Sequence, residues 1–309
     1  MARSAFYNHP ICEEHNSGIS HPESPDRLHS INKFLAQDHF ELLDRFNAPL
    51  ADKVMLKNVH SSEYVDTILK SIPESGYSYI DGDTVISPSS GDASLRAVGA
   101  VCEAVNSVLS GKVDNAFCAV RPPGHHAEPN GAMGFCIFNN IAIAADHARR
   151  VHGITRVAVI DFDVHHGNGT QTAFEADGDL MFASTHQSPL YPGTGSKDER
   201  GVGNIWNAPL RPKAGSNEFK DAMTNLILPA LRNHKPELIL ISAGFDAHRD
   251  DPLATLELVE SDFKWITKEI NKIAADCCHG RVVSSLEGGY NLLALGRSVA
   301  QHVEALMEA

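Results

Sequence analysis

Short apolar runs that alternate with longer segments of helical period constrain the fold of this chain more than any other feature of its sequence. The apolar runs are predicted to form strands at residues 116–120, 156–160, 180–184, 237–242 and 281–285. The intervening and following segments predict helices over about 92–110, 139–152, 217–234, 255–275 and 291–307. This alternation is typical of a mainly parallel sheet flanked by helices, so the sequence predicts an α/β fold.

Composition and charge narrow the class of protein. The 309 residues are 42% apolar and 21% charged, and no Pro/Ser-rich or charged linker divides them, so we predict one domain over residues 1–309. The formal net charge of −13 argues against binding to nucleic-acid phosphates and is compatible with cationic substrates. We expect a cytoplasmic protein without a membrane anchor, because neither a signal peptide nor a bilayer-length apolar stretch is evident. The six cysteines lack CxxC spacing, which predicts neither a disulfide framework nor a thiolate zinc site.

Polar segments follow four of the predicted strands, at the point where each strand ends. The segments after residues 120, 160, 242 and 285 read RPPGHHAE, DFDVHHGNG, AGFDAHRDDP and LEGGYN. In an open α/β sheet, ligands bind in the crevice outside the carboxyl ends of the parallel strands. The four segments are therefore expected to converge on one site.

Acidic and imidazole groups in these segments suggest a metal centre. In an extended segment Asp161, Asp163 and His165 share one face, and Asp246 arrives from a neighbouring strand end. Carboxylates and a neutral imidazole suit a borderline divalent cation, and three protein ligands leave a position for metal-assisted hydrolysis. Asp161 is alternatively an acceptor that orients an imidazole. Each motif alone is also compatible with a solvated turn capped by aspartate, but their positions on adjacent strand ends favour a metal.

Proton transfer is the second chemistry that the residues suggest. In the His125–His126 pair, one imidazole could bond to Asp161 and the other to Asn168. The two imidazoles would then differ in basicity, because a carboxylate stabilises the cation more than an amide does. That asymmetry suits one general base and one electrostatic helper. Tyr290 follows two glycines that permit a tight turn, and its phenol can donate to an oxyanion. Histidines that decorate the surface or fill the core, and a tyrosine at a core edge, are the structural alternatives.

The motifs resemble the zinc-dependent histone deacetylase family, in order and over nearly the whole chain. They are HPESPDR (21–27), RPPGHHA (121–127), GFCIFNN (134–140), DFDVHHGNGTQ (161–171), YPGTG (191–195), AGFDAHRDDPL (243–253) and EGGYN (287–291). The motif sequences resemble those of class II and bacterial class II-like members, the histone deacetylase-like amidohydrolases, more than those of class I. In class I, Asp usually occupies the position of Asn168. The resemblance implies the arginase/deacetylase α/β fold and hydrolysis of an acetylated amine to a free amine and acetate.

The resemblance also implies the roles of the central residues. Asp163, His165 and Asp246 match the ligands of the catalytic Zn²⁺, and two carboxylates with one imidazole would also accept Fe²⁺ or Co²⁺. Tyr290 would polarise the acetyl oxygen together with the ion. Because this tyrosine stands where the weakly active vertebrate class IIa enzymes have histidine, we expect turnover.

The two adjacent histidines take different roles under the same resemblance. His126 would be the general base that later protonates the leaving amine, and His125, paired with Asp161, would be its electrostatic partner. The family also binds a structural K⁺ beside the site, and the matching positions are Asp161, Asp163, His165, Ser184 and Thr185.

The substrate-binding positions implied by the resemblance surround an acyl tunnel. Phe135, with Gly134 in the same motif, and Tyr191 match the tunnel walls, although phenylalanine is commoner at the position of Tyr191. The other matching positions are Asp83, which would contact a substrate backbone, Arg27 near the acetate-release pocket, and Leu253. Polyamine deacetylases of the family carry glutamate at that last position, so leucine favours N6-acetyl-lysine in a peptide or protein over an acetylpolyamine.

Two other classes of function are alternatives to a deacetylase. A two-metal ureohydrolase would require a D-x-H-x-D arrangement, whereas Gly167 follows His166 here. A non-catalytic acetyl-lysine binding module would require the loss of a metal ligand or of Tyr290, and both are present in the sequence. The sequence therefore favours a metal-dependent deacetylase.

Overall fold

The computed structural model describes residues 2–309 and contains ten strands within that range. The strands are β1 (Ser4–Asn8), β2 (Asp44–Asn47), β3 (Ser78–Tyr79), β4 (Val85–Ile86), β5 (Asn115–Cys118), β6 (Val157–Asp161), β7 (Leu180–Gln187), β8 (Ile205–Leu210), β9 (Leu238–Ala243) and β10 (Val282–Leu286). Eight of them form one sheet in the order β2-β1-β5-β10-β9-β6-β7-β8, with every neighbouring pair parallel. The remaining two strands, β3 and β4, form a small antiparallel pair. The predicted α/β fold with a parallel central sheet is confirmed.

The helices cover the sheet and connect its parallel strands. They are α1 (Ile11–Glu14), α2 (Asp26–Phe34), α3 (Lys53–Leu56), α4 (Ser62–Lys70), α5 (Ser90–Leu109), α6 (Asn140–His152), α7 (Asn168–Phe174), α8 (Ser216–Ala222), α9 (Leu228–His234), α10 (Glu260–Cys278) and α11 (Leu292–Met307). Every residue of β6 and of β9 is buried, which requires cover on both faces of the sheet. Within residues 2–309, no helix has the length and apolar character needed to cross a membrane.

Two predicted helices differ from the structure in their bounds. The predicted helix at 217–234 is divided into α8 and α9 by a π-helical turn at Met223–Ile227. The predicted helix at 255–275 begins at Glu260, because the backbone of the preceding residues pairs with other segments instead of entering the helix. Val259 has extended dihedral angles, and its N–H donates to the Asp262 carboxylate at 3.0 Å.

Strand β1 and the two edge strands, β2 and β8, were absent from the sequence prediction. Strand β2 reads DRFN and has no apolar run, and β8 contains Pro209, which belongs on an edge because proline cannot donate to the ladder. These segments are extended because they pair with neighbours that are remote in sequence. The five predicted strands, in contrast, are found within a few residues of their expected bounds.

The register of the sheet determines where the polar segments meet. Asp161, the last residue of β6, lies opposite Ser242 of β9 on one side and Ser184 of β7 on the other. Strands β9 and β10 end together, with Ala243 opposite Leu286. The segments that follow β6, β9 and β10 therefore leave the sheet at the same edge.

Candidate active site

A buried cluster of two carboxylates and one imidazole lies just beyond the ends of β6 and β9. His165 Nδ1 is 3.2 Å from Asp163 Oδ1 and 3.2 Å from Asp246 Oδ2. One ligand atom from each residue lies within 4.8 Å of those of the other two. The three predicted metal ligands are thus brought together, although 81 residues separate His165 from Asp246 in the sequence.

Glycines and backbone amides hold the two carboxylates close together. A Cβ atom at Gly288 would lie 2.1 Å from Asp246 Oδ2, and one at Gly244 would lie 2.1 Å from Asp163 Oδ2, so side chains are excluded at both positions. The Gly288 N–H donates to Asp163 Oδ2 at 2.8 Å, and the Val164 N–H donates to Asp246 Oδ1 at 2.9 Å. The carboxylates are therefore oriented by the backbone of three different segments.

The chemistry of this cluster fits a divalent cation. Burial opposes the charged form of His165, but hydrogen bonds to Asp163 and Asp246 outweigh it and raise the imidazole pKa to about 10. The two carboxylates thus stabilise a positive charge at the imidazole nitrogen. A divalent cation bound to all three groups would supply that positive charge, with the neutral imidazole as a ligand.

His125 is paired with the carboxylate that does not join the cluster. Its Nδ1 lies 2.9 Å from Asp161 Oδ2, and Asp161 Oδ1 accepts from the Asp163 N–H at 3.0 Å. Burial disfavours the imidazolium form, but the nearby charges of Asp163 and Asp161 outweigh it and raise the pKa of His125 well above its usual value. The surroundings of His125 therefore favour its protonated, imidazolium form.

The surroundings of His126 shift its pKa in the opposite direction. Its Nδ1 lies 2.8 Å from Asn168 Oδ1, and its ring centroid is 4.0 Å from that of His125. Burial, followed by the positive charges of His125 and His165, lowers the pKa of His126 well below its usual value. The surroundings thus favour a neutral imidazole at His126 beside an imidazolium at His125.

Tyr290 is held through its backbone and its ring. Its N–H donates to Asp251 Oδ2 at 2.7 Å, and the Arg27 guanidinium carbon lies 5.0 Å from the ring centroid. Fully buried Arg27 also donates to the Gly289 carbonyl at 2.7 Å and pairs with Glu23 at 3.1 Å. Burial raises the pKa of the phenol well above its usual value, so Tyr290 remains a hydrogen-bond donor.

His165 of this cluster, His126 and Tyr290 line one cavity of about 260 Å³. Its lining residues are Asp83, His126, Gly134, Phe135, His165, Leu190, Tyr191, Leu253 and Tyr290. The predicted wall and rim residues are all among them. Arg27 is the exception, since it lies behind Tyr290 and does not line the cavity.

The wall formed by Gly134 and Phe135 has a strained backbone. Both residues have positive φ angles, of 56° and 67°, and a Cβ atom at Gly134 would lie 2.4 Å from His126 Cδ2. The Gly134 N–H donates to Asp83 Oδ1 at 3.1 Å, and the Phe135 N–H donates to Thr84 Oγ1 at 3.2 Å. Asp83 therefore supports the wall as well as lining the cavity.

Comparison with known proteins decides the family of this site. The histone deacetylase domain model matches residues 21–306. The chain belongs to the histone deacetylase family. This confirms the family predicted from the motifs, and it identifies the chain as a member of a family of hydrolases that deacetylate acetylated amines.

Similar proteins cover nearly the whole histone deacetylase domain described here. The chain is 40% identical to histone deacetylase 14, chloroplastic, of Arabidopsis thaliana, over 93% of this chain and 73% of that protein. It is 35% identical to the histone deacetylase-like amidohydrolase of Pseudomonas aeruginosa, over 94% of this chain and 82% of that protein. The crystal structure of the HDA15 HD domain superposes with a TM-score of 0.93 at 34% identity, covering 99% of this chain and 88% of that chain.

Three of the positions predicted to bind K⁺ lie in β6 and β7. Asp161 and Ser184 are directly opposite in the register of these strands, and Thr185 follows Ser184. The Ser184 hydroxyl lies 2.9 Å from His186 Nδ1, so this side chain already has a protein partner. Asp163 and His165, which follow β6, belong to the cluster of two carboxylates and one imidazole.

Glu287 lies at the site, and the sequence reasoning assigned it no role. Its fully buried carboxylate accepts from the Gly124 N–H at 2.7 Å, from the His125 N–H at 3.1 Å and from the Ser242 hydroxyl at 3.1 Å. Burial raises its pKa to about 7. It joins the histidine turn to the segment that carries Tyr290, and an acid at the end of an apolar strand was the signal that could have identified it.

Asp251 was also missed. The Asp251 carboxylate accepts hydrogen bonds from the Tyr290 N–H and, at 3.0 Å, from the Leu253 N–H. One carboxylate therefore holds both residues at the cavity. Burial raises its pKa to about 7. The motif RDDP contains the residue, but its partner Tyr290 is 39 positions away.

Proposed function

We propose that this chain is a metal-dependent deacetylase that hydrolyses N6-acetyl-lysine in peptides or proteins to lysine and acetate. The observation that carries the proposal is the convergence of a two-carboxylate, one-imidazole cluster, a neutral histidine and a protonated tyrosine on one cavity. Each group supplies a different part of amide hydrolysis.

The proposed metal is Zn²⁺, with Fe²⁺ or Co²⁺ as alternatives, held by Asp163, His165 and Asp246. When bound, the ion supplies a Lewis acid that activates water and polarises the acetyl carbonyl. The donor set of two carboxylates and one imidazole supports this assignment. We extend the proposal to a structural K⁺ at the ends of β6 and β7.

His126 is the proposed general base. Its Nε2 takes the proton from the attacking water and passes it to the leaving amine nitrogen, which requires that the imidazole start neutral. The depressed pKa of His126 supports this role. His125, kept charged by Asp161, would stabilise the negative charge that develops in the transition state.

Tyr290 is the proposed oxyanion donor. Its hydroxyl would donate to the acetyl oxygen as that oxygen gains negative charge. The backbone bond to Asp251 and the contact with Arg27 hold the residue before substrate binds. Such prior orientation is what makes a donor effective in catalysis.

The cavity supports an acetyl-lysine substrate. Phe135, Tyr191 and Leu190 provide an apolar slot for the four methylenes of the lysine stem, and Leu253 places no charge at the rim. Asp83 is the observation that favours the second candidate, an acetylpolyamine, because its carboxylate at the cavity would attract a second amine.

The remaining features of the proposal concern the whole chain. We propose a single deacetylase domain over residues 1–309 of the class II-like type, acting in the cytoplasm without nucleic-acid partners. The acidic net charge of −13 supports the last point. The name of the Arabidopsis thaliana relative describes that protein as chloroplastic, so fractionation of the source cell is the test of location.

Activity against a panel of substrates tests the proposed function. The purified protein, analysed for its metal content, is assayed with acetyl-lysine peptides and with N-acetylated polyamines by measuring acetate release. We expect one equivalent of a divalent transition metal and higher kcat/KM on the peptides. Metal-containing protein that binds the peptides without releasing acetate would refute the enzyme, and preference for the polyamines would favour the second candidate.

A further inference from the structure

The amide group of Asn168 has a defined orientation because two different neighbours contact its two ends. Its Nδ2 donates to Glu128 Oε1 at 2.7 Å, and its Oδ1 lies 2.8 Å from His126 Nδ1. A carboxylate oxygen can only accept, so the amide nitrogen must face Glu128. The amide oxygen is then left to face His126.

This orientation determines the tautomer of His126. Because Asn168 presents an acceptor to Nδ1, the imidazole carries its proton on Nδ1 and has its lone pair on Nε2. The opposite amide orientation would present a donor to Nδ1 and would shift the proton to Nε2. A neutral imidazole protonated on Nε2 cannot take a proton there.

Glu128 is the strong acceptor among the neighbours of the Asn168 amide nitrogen. The amide nitrogen has two other contacts. The hydrogen bond to the His126 carbonyl is long, at 3.4 Å, and the Met133 sulfur, at 3.2 Å, is a weak acceptor. Without the Glu128 carboxylate, little would distinguish the two orientations of the amide.

The backbone of Glu128 is anchored independently of its side chain. The carbonyl of Glu128 lies 2.9 Å from His60 Nδ1, and its N–H donates to the Gly131 carbonyl at 2.9 Å. His60 Nε2 in turn accepts from the Asn139 N–H at 2.9 Å, at the start of α6. His60 therefore ties the backbone of Glu128 to the start of α6.

We propose that Glu128 is a positioning residue that orients the Asn168 amide and thereby keeps His126 in the tautomer with a free Nε2. This inference rests on the proposed function, because it takes His126 as the general base. Glu128 touches neither substrate nor metal ligand in this scheme, and it acts only through Asn168.

The test exchanges acceptor and donor at the two positions. Glu128→Lys places a donor beside Asn168, which should turn the amide and lower kcat about 100-fold. A wrong histidine tautomer costs up to about 10⁴-fold in the Ser-His-Asp triad of serine proteases. Glu128→Met, which offers neither strong donor nor acceptor, should lower kcat less. Asn168→Asp alone would bring two carboxylates together and should also lower kcat.

The combined variant Glu128→Lys with Asn168→Asp is the decisive one. Its aspartate accepts from both the new lysine and His126 Nδ1, so kcat should rise at least tenfold above that of Glu128→Lys alone. A role of Glu128 in stability alone predicts no such rescue. Glu63→Lys, a charge reversal at an exposed position on α4, is the matched control and should retain native kcat.

Nitrogen-15 NMR of labelled histidine reads the tautomer directly. We expect His126 to be protonated on Nδ1 in the native protein and on Nε2 in Glu128→Lys, with a mixture in Glu128→Met. An Nδ1-protonated ring in all three proteins, or additive losses in the combined variant, would overturn the proposal. If Glu128→Lys does not fold, the ring spectrum and kcat of Glu128→Met decide the question alone.

The native protein separates this inference from the proposed function. Inactive native protein with bound metal would remove the deacetylase proposal itself, whereas the histidine spectra would still test the orientation of Asn168. Active native protein with an unchanged tautomer in the Glu128 variants would remove only the role of Glu128.

Discussion

Replacement of Tyr290 by phenylalanine removes one hydroxyl and leaves the contacts that hold the residue. The backbone bond to Asp251 at 2.7 Å does not involve the side chain, and the ring contacts with Phe135 and Arg27, at 5.9 and 5.0 Å between the respective centres, remain available. The proposed metal ligands Asp163, His165 and Asp246 are unchanged. The change therefore isolates the proposed oxyanion donor.

We expect a large loss in kcat and little change in KM or metal content. Removal of one oxyanion donor costs about 10²- to 10³-fold in kcat, or about 3 to 4 kcal/mol of transition-state stabilisation. Because the hydroxyl would act mainly in the transition state, KM should change less than about threefold. Metal content should equal that of the native protein.

The assay is steady-state acetate release from an acetyl-lysine peptide, with elemental analysis of each preparation. Tyr7→Phe is the matched control, because it removes a buried hydroxyl that lies 2.8 Å from Ser107 Oγ, away from the cavity. That control should lose about 1 kcal/mol of stability and keep its kcat. Native kcat in Tyr290→Phe with full metal content would refute the oxyanion role, and loss of metal would show that the tyrosine acts on the ion.

Three further predictions follow from the same geometry. Asp246→Ala should abolish metal content and activity together, and retention of one metal equivalent, measured by elemental analysis, would remove Asp246 from the ligand set. His126→Ala should lower kcat more than His125→Ala does, since the neutral ring is the proposed base, and the reverse order would reassign the roles. Burial lowers the pKa of His60 to about 4, so the unfolded state binds its proton more tightly and stability falls as pH drops from about 6.5 to 4. Between pH 7 and 5 this contribution is about 2 kcal/mol, and it should disappear in His60→Gln when unfolding in urea is compared at both pH values.

The strands that could be predicted from the sequence are those buried on both faces. A strand in the middle of a parallel sheet must be apolar at every position, so β6 and β9 appear as continuous apolar runs. Strand β2, with the sequence DRFN, carries no such signal because an edge strand is extended by pairing with its neighbour. The start of α10 was misplaced for the same reason, since residues just before Glu260 pair with remote segments.

The sequence by itself determined which chemical groups are available and at which edge of the sheet they emerge. Asp163, His165 and Asp246 follow apolar strands, and parallel strands bring their carboxyl ends to one edge, so their convergence follows from pattern and topology. The protonation states of the two adjacent histidines required the charges that surround them in three dimensions.

Only the tertiary structure decided which groups hold the site in place. Glu287 contacts Gly124 across 163 residues, and Glu128 contacts Asn168 across 40, and neither distance has a periodicity that a sequence pattern could reveal. A hydrogen bond depends on the position and direction of two atoms within a few tenths of an ångström. That precision arises from the packing of the whole chain, whereas the order of polar groups along a strand is given by the local sequence.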